Sequence, residues 1–547
     1  MDSMMNRTLI WLILLLLVMI GVKFWDYSGV ESSSIVGDKL TPSTPNAPES
    51  SINSKFLSQS PSQSMDEISL SEDRSHLWDR AHSPILKDLT LGFSSLQKMH
   101  SFLDNAPMNG IKIKGRSDAL LTVRFAVKDL PTASRFFDNA EDQVEPQFNY
   151  RLRTPALPRA EYLEGEKSFG AGANVWLGIS EERQDWGRGV KVAVLDSGVD
   201  RTHSNLAGIA MEEIDLVRSG DSSKGHGTAV ASIIAGNESG QLGLAPAASL
   251  LSIRVLNSAG EGDSFTVAEG IVQAVDRGAK VINLSLGGTG ESKVLKNAVD
   301  YAHSNGALVV AAVGNEGVGE VSYPAKFDHV IGVTSVDANG RQSSFANYGE
   351  GVDIAAPGVG VFAAWEDEGL VAFSGTSTAT AFISGALAAE ISKNPGLSNA
   401  EVVDLLYNFA NESEKPGIDK FTGKGILNVG RIDNRNVPNL HDAAIVGYYF
   451  DPEHLKGGTT PFQVLVQNQG TSRLDNLSLQ VEYRGVVRNF FLNNLSPGDT
   501  RSEKLFLDGS VRGGDGVRIS SKIFLNGVRD IKPENNNRVS TISLPSL

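Results

Sequence analysis

The chain has 547 residues, too many for one domain, and its 41% hydrophobic and 21% charged residues are ordinary for a globular protein. Its formal net charge of −15 argues against a nucleic-acid partner, because no basic surface is implied. The sequence contains no cysteine, which excludes disulfides, thiol catalysis and thiolate metal sites.

Residues 1–26 contain the apolar run Leu9–Val22, which lies between Arg7 and Lys23. The run is short for a membrane span and has the length of the apolar region of a signal peptide. No small-residue cleavage motif follows closely, so we expect an uncleaved signal anchor, with a cleaved signal peptide as the alternative. The flanking charges place the bulk of the protein outside the cytoplasm, in the cell envelope or secreted.

The next residues, 27–79, are rich in Ser and Pro and poor in large apolar side chains. Such a composition cannot bury enough surface to offset the entropy of ordering, which predicts a disordered linker. Apolar residues return in 80–165, where an alternating stretch at 119–125 and a helical pattern at 131–142 predict a small α+β region.

Between residues 166 and 436, apolar β-branched runs alternate with segments of helical periodicity. This pattern predicts an α/β domain whose parallel sheet carries helices on both faces. Ligands bind at the carboxyl ends of the strands in such sheets, and Asp196 and Asn315 close two of the runs. The predicted strands are 191–196, 250–256, 280–288, 307–315 and 329–336, and the predicted helices are 264–278 and 291–305.

The last region, 437–547, consists of short alternating strands separated by turn residues at a spacing of about ten residues. Period-2 patterning at this spacing predicts a C-terminal all-β sandwich domain.

Three segments of the α/β domain carry groups that could act together. Asp196 ends a predicted strand, His226 lies in the first turn of a small-residue helix, and Ser377 begins another in GTSTATA. Serine is a poor nucleophile unless a base removes its proton, and histidine is the usual base near neutral pH. A carboxylate on the second imidazole nitrogen holds the tautomer, so these three side chains would suffice if they converge.

Each residue alone also has a simpler interpretation. Asp196 could cap a helix or a loop, His226 could be a core histidine, and Asn315 could cap a turn. The small residues around Ser377 could serve tight helix packing. Their joint position on strand ends and helix starts of one domain favours a common site.

The motifs VAVLDSGVD, HGTAVA, SLGG, AAVGNEG, DIAAPG and GTSTATA resemble the successive motifs of the subtilisin-like serine proteases, from about Trp176 to Gly430. The order Asp, His, Ser along the chain is the known order in subtilisin. The resemblance implies a serine endopeptidase with Asp196, His226 and Ser377 as its triad. It also implies an oxyanion hole formed by the side-chain amide of Asn315 and the Ser377 backbone N–H.

The resemblance further implies a cleft that binds protein or peptide substrates by strand addition. One flanking strand would be Gly260, Glu261 and Gly262, and the other Ser285, Leu286 and Gly287, extending to Gly288. The specificity pocket would include Ala312 and Gly314, with Ser322 near its base and Glu316 and Glu320 available to a basic group.

Four residues depart from the family pattern. The family usually has Met and Pro where this chain has Thr378 and Ala381, and His and Gly where it has Ala229 and Ser232. None of the four is a triad member, so we expect an active enzyme. The alternative is a surface adhesion or scaffolding protein with an inactive subtilase domain.

The same resemblance suggests roles for the flanking regions and an expectation about cofactors. Residues 80–165 occupy the position of a pro-segment, although they could be an ordinary N-terminal extension. The C-terminal region resembles the cell-adhesion-related (CARDB-like) bacterial domains, which suggests a surface or protein partner or a brace for the catalytic domain. No cofactor is required, and calcium is possible but not indicated. The loop 237–242, where the family builds a principal calcium site, is short.

Overall fold

The computed structural model describes residues 84–543 except 107–110, 129–145, 159–162, 164–165, 180–182, 219–223, 239–240, 339, 367–368, 413–416, 451–458, 498 and 509–515. The predicted signal anchor, the predicted linker and the predicted helix at 131–142 therefore lie outside the described residues. Among the described residues, no helix is both long and apolar enough to cross a membrane.

The contacts divide the chain into two compact units, the smaller of which contains Ile85–Arg116 and Leu121–Phe148. Its strands β1 (Pro84–Gly92) and β3 (Thr122–Ala126) pair antiparallel, and β2 (Lys112–Ser117) lies on the other side of β3. Helix α1 (Leu96–Asn105) begins at a Ser95 cap and buries Met99. The alternation predicted at 119–125 overlaps β3, whereas α1 lies in a segment where no helix was predicted.

The larger unit is built on one parallel sheet of seven strands. These strands are β5 (Lys191–Asp196), β6 (Met211–Asp215), β9 (Ser249–Arg254), β11 (Val281–Leu284), β12 (Leu308–Ala312), β13 (Val330–Val336) and β14 (Ile354–Pro357). Their order in the sheet is β14-β13-β12-β11-β5-β9-β6, so the chain crosses over between strands throughout.

Helices cover both faces of this sheet, as its apolar runs predicted. The alternation along β5 divides the core, because Val192 and Val194 belong to one buried cluster and Ala193 and Leu195 to the other. The first cluster contains side chains of α3 (Gly225–Ala235) and α6 (Thr376–Lys393), and the second contains α4 (Ser264–Asp276) and α5 (Lys293–Ser304). The smaller elements are α2 (Ala173–Trp176), β4 (Gln147–Arg153), β7 (Asn237–Glu238), β8 (Gln241–Leu242), β10 (Glu261–Asp263), β15 (Val361–Ala364), β16 (Leu370–Phe373), α7 (Asn399–Asn408) and α8 (Val429–Asn434).

The C-terminal region forms two antiparallel sheets, with orders β17-β18-β21 and β20-β19-β22-β23. Buried side chains of both sheets, including Val464 and Leu479, belong to one hydrophobic cluster. The hydroxyl of Tyr448 donates to Ser521 Oγ at 3.0 Å and so links the two sheets. The strands are β17 (Ala443–Phe450), β18 (Thr459–Asn468), β19 (Leu477–Tyr483), β20 (Val486–Leu492), β21 (Thr500–Asp508), β22 (Gly516–Leu525) and β23 (Asn537–Ser543).

Candidate active site

The aspartate and histidine singled out in the sequence are in direct contact. Asp196 ends β5 and is fully buried, and His226 is the second residue of α3. His226 Nδ1 lies 2.9 Å from both carboxylate oxygens of Asp196. The helix comes this close because Gly227 follows the histidine: a Cβ there would lie 2.1 Å from the Gly198 carbonyl oxygen. The pair can therefore hold the imidazole in one tautomer, with Nε2 free of that contact.

The start of α3 is held by a residue that the sequence did not reveal. Glu366 Oε1 accepts hydrogen bonds from the backbone N–H groups of Lys224, at 2.5 Å, and Gly225, at 2.7 Å. Lys224 is the N-cap residue and makes no side-chain cap of its own. A carboxylate in this position satisfies helix donors and complements the helix dipole immediately before His226. Glu366 lies in the turn between β15 and β16, far away in sequence, so no local motif marked it.

Ser377 is the second residue of α6 and is buried, with 2% of its surface exposed. Its Oγ has no hydrogen-bond partner within the described residues, so the structure does not join it to His226. The ring of Phe373, shortly before Ser377, packs edge-on against the His226 ring at 5.3 Å. The Ser377 backbone carbonyl accepts a bond from Ser285 Oγ at 3.3 Å. Within the described part of the chain, the Ser377 hydroxyl is not committed to another hydrogen bond, which is compatible with a nucleophile.

Asn315 lies three residues after the end of β12, rather than closing the strand as predicted. Its Oδ1 accepts from the Thr376 N–H and hydroxyl, both at 2.9 Å, immediately before Ser377. The amide is thereby oriented with Nδ2 available as a donor. Gly375 allows this approach, because a Cβ there would lie 2.9 Å from Asn315 Nδ2.

A segment of the same chain occupies the predicted strand-pairing cleft. Strand β4 pairs antiparallel with β10, and the backbone N–H and C=O of Arg153 both bond to Gly287, at 2.9 and 2.8 Å. The N–H of Thr154 donates to the Gly260 carbonyl at 2.9 Å. Asn315 Nδ2 donates to the carbonyl oxygen of Ala156 at 2.9 Å. The three predicted features of the cleft thus contact one continuous extended segment.

The start of this segment is held by its side chains. Asn149 is fully buried, and its Oδ1 accepts from Ser264 Oγ at 2.8 Å and from the Phe265 N–H at 3.0 Å, at the N-terminus of α4. The ring of Tyr150 lies over Gly290, where a Cβ would be 2.0 Å from the ring. Neither residue was predicted to contact the cleft.

Most of the residues predicted for the specificity pocket are buried. Gly314 has a φ of 113° and lies against Asn347. A Cβ on Gly314 would be 2.3 Å from Asn347 Nδ2. Glu316 is close by, and burial raises its carboxyl pKa despite a 2.8 Å bond donated by Asn347. Glu320 instead forms an exposed ion pair with Lys326, which argues against a place in the pocket. The remaining predicted members Ser285, Leu286, Ala312 and Ser322 are all buried.

At the position of the family's calcium site, two backbone carbonyls already accept hydrogen bonds from a basic side chain. The predicted loop forms the two-stranded β7–β8 hairpin, and the Leu242 carbonyl already accepts bonds from Arg183 at 2.7 Å and Asn174 at 3.0 Å. Arg183 also donates to the Gly243 carbonyl at 3.0 Å. A fixed guanidinium charge in contact with these oxygens repels a divalent cation. No group of three or more His, Asp or Glu side chains within the described ranges could hold a metal.

Comparison with known proteins matches the α/β domain to the family that its sequence motifs resemble. A family model described as the Subtilase family matches residues 187–425. The chain is 41% identical over 246 residues to subtilisin Savinase of Lederbergia lenta, covering 44% of this chain and 90% of that protein. It is 39% identical over 248 residues to thermitase of Thermoactinomyces vulgaris, covering 44% and 88%. The solved structure of an epidermin leader peptide processing serine protease of Staphylococcus aureus matches in fold, with a TM-score of 0.55 at 21% identity over 63% of this chain and 99% of that one.

Proposed function

The chain belongs to the subtilase family of serine endopeptidases, and we propose that Asp196, His226 and Ser377 are its catalytic triad. The observation that carries the proposal is the contact of His226 Nδ1 with the buried Asp196 carboxylate, at 2.9 Å. That contact leaves Nε2 as the base for a serine hydroxyl. Ser377 is the candidate because its unpartnered Oγ lies in the segment held by Asn315.

In the proposed reaction, His226 Nε2 accepts the Ser377 proton as Oγ attacks the substrate carbonyl carbon. The tetrahedral intermediate breaks down when the imidazolium donates that proton to the leaving amine, which yields an acyl-enzyme. Water, deprotonated by His226, then attacks the ester and restores the serine. Asp196 stabilises the imidazolium in both steps without taking up the proton.

Asn315 Nδ2 and the Ser377 N–H would form the oxyanion hole. The hydrogen bond from Nδ2 to the Ala156 carbonyl oxygen supports this role, because a substrate carbonyl oxygen is the atom that an oxyanion hole binds. Removing one such donor typically lowers kcat by about 10²–10³, a magnitude known from this family itself. The carbonyl held here belongs to the Ala156–Leu157 peptide bond, which is therefore the proposed internal cleavage site.

Residues 80–165 would be a pro-segment that occupies the cleft until the chain is cut. The pairing of β4 with β10 and Gly287 supports this function, because a substrate cannot add to the same backbone groups. Under this proposal the catalytic domain is 166–436. The full chain activates itself by cutting its own Ala156–Leu157 bond, and peptides enter the cleft once the segment 149–156 has left.

The remaining regions are assigned by the same proposal. Residues 1–26 would be a signal anchor or signal peptide and 27–79 a linker, which would place the catalytic domain in the cell envelope or outside the cell. Residues 437–547 would form a CARDB-like domain, and the shared core of the two sheets supports its β-sandwich architecture. It would bind a surface or protein partner, or brace the catalytic domain.

The test compares peptide hydrolysis by the full chain with that by its Ser377→Ala variant. We expect the variant to retain the fold and to lose hydrolysis, and His226→Ala to be equally severe because the triad acts as a unit. Hydrolysis by purified Ser377→Ala within tenfold of the parent would overturn the triad. It would favour the alternative, an adhesion or scaffolding protein with an inactive subtilase domain.

A further inference from the structure

The cleft pairs an acidic side chain of its own with a basic side chain of the bound segment. Arg153 lies opposite Glu261 in the β4–β10 pairing, and its Nη2 is 3.4 Å from Glu261 Oε1. The backbone N–H and C=O of Arg153 bond to Gly287 on the other side. Arg153 and Glu261 therefore form a non-hydrogen-bonded antiparallel pair, the type in which side chains approach most closely.

The register of this pairing is fixed by the residue before the arginine. Leu152 has 1% of its surface exposed and packs in the buried cluster that contains Leu256 and Leu286. A shift of one residue would expose this leucine and bury a charged side chain, so the register is strongly specified. Any substrate with an apolar residue at this position would present its next side chain to Glu261.

We propose that Glu261 selects substrates with a basic residue at the position that Arg153 occupies. This position lies three residues before the residue whose carbonyl oxygen accepts a hydrogen bond from Asn315 Nδ2. The substrate class would be peptides in which an apolar residue is followed by arginine or lysine at these two positions. The inference rests on the proposed function, since it assumes that substrates follow the path of the segment 149–156.

The size of the preference follows from the exposure of the pair. The side chains of Arg153 and Glu261 are 43% and 39% exposed, so solvent screens their attraction. An exposed ion pair contributes about 0.2–1 kcal/mol, which corresponds to a factor of about 1.4–5 in kcat/KM. Replacing arginine by glutamate removes the attraction and adds a repulsion of similar size, which gives about two- to twenty-fivefold discrimination. High salt should reduce it.

The experiment offers the full chain a mixture of two peptides with the sequence of residues 149–160, one carrying Arg153 and one carrying Arg153→Glu. The ratio of their cleavage rates gives the ratio of kcat/KM and does not depend on how many clefts the pro-segment still occupies. Enzyme variants Glu261→Gln and Glu261→Arg are compared with Glu212→Gln as a matched control. Glu212 pairs with Lys191 at the opposite end of the sheet. A peptide with Arg151→Ala controls for basic charge elsewhere.

We expect the parent and Glu212→Gln to prefer the arginine peptide about two- to twenty-fivefold at low salt. Glu261→Gln should bring the two rates close together, Glu261→Arg should reverse the preference, and 1 M salt should weaken it. Equal rates with the parent, or an unchanged preference in Glu261→Arg, would overturn the inference while leaving the proposed function intact. Absence of any Ser377-dependent cleavage would overturn the proposed function and, with it, the inference.

Discussion

At the scale of single residues, the site combines groups from distant parts of the chain. Asp196 and His226 lie in recognisable motifs and were predicted from them, and their contact follows from the positions of β5 and α3. Glu366 lies in no motif, and its role depends on where the β15–β16 turn meets the start of α3. A sequence pattern reports local conformation, so it could not reveal a contact made only in the folded molecule.

Glu366 should act as a positioning residue for His226. Glu366→Ala leaves two N–H groups at the start of α3 without their acceptor, which should cost about 1 kcal/mol of unfolding free energy and lower kcat more than it raises KM. Glu366→Gln keeps an acceptor oxygen and should retain more of kcat. Thermal unfolding of both variants measures the loss of stability, and steady-state kinetics measures the changes in kcat and KM. A loss of stability with kcat unchanged would show that the contact supports the fold alone.

At the scale of helices and strands, the regular α/β elements were predicted well and the polar strands were missed. Helices α4 and α5 lie within the predicted segments 264–278 and 291–305. Strand β4 was missed because its sequence QFNYRLR alternates weakly and its partner β10 is far away along the chain.

The hairpin β7–β8 carries a prediction about calcium. Because Arg183 donates to the Leu242 and Gly243 carbonyls, we expect a chelator to leave the melting temperature of the full chain almost unchanged. An ion present at 100 times its dissociation constant would contribute about 2.7 kcal/mol, enough for a shift of a few degrees. A fall of that size on adding chelator, reversed by calcium and absent in Asn237→Ala, would mean that the short loop binds the ion.

At the scale of the whole molecule, stability should depend on the protonation of a buried carboxyl group. Burial raises the pKa of Glu412 to about 7. The folded state therefore holds this proton more tightly than the unfolded chain, so the contribution is present below about pH 4.5 and is lost as the pH rises through 7. Glu412→Gln mimics the protonated form and keeps an acceptor for the Gly417 N–H.

We expect Glu412→Gln to raise the melting temperature relative to the parent at pH 8 and to leave it unchanged near pH 4.5, measured by thermal unfolding across this range. The exposed Glu401→Gln variant, at the capping box of α7, serves as a control: hydrogen bonds to Ser398 lower the pKa of Glu401, so this variant should lower the melting temperature by nearly the same amount throughout the range. A difference between Glu412→Gln and the parent that does not vary with pH would contradict the assignment.

The central claim is that Ser377 is a nucleophile activated by His226. It is tested most directly by treating the full chain with phenylmethylsulfonyl fluoride and locating the adduct by peptide mass spectrometry. The reagent sulfonylates a serine only when a neighbouring base activates it. The account predicts one adduct, on Ser377, which is lost in His226→Ala and in Ser377→Ala. Modification of Ser377 at the same rate in His226→Ala, or an adduct on another serine with Ser377 unmodified, would contradict it.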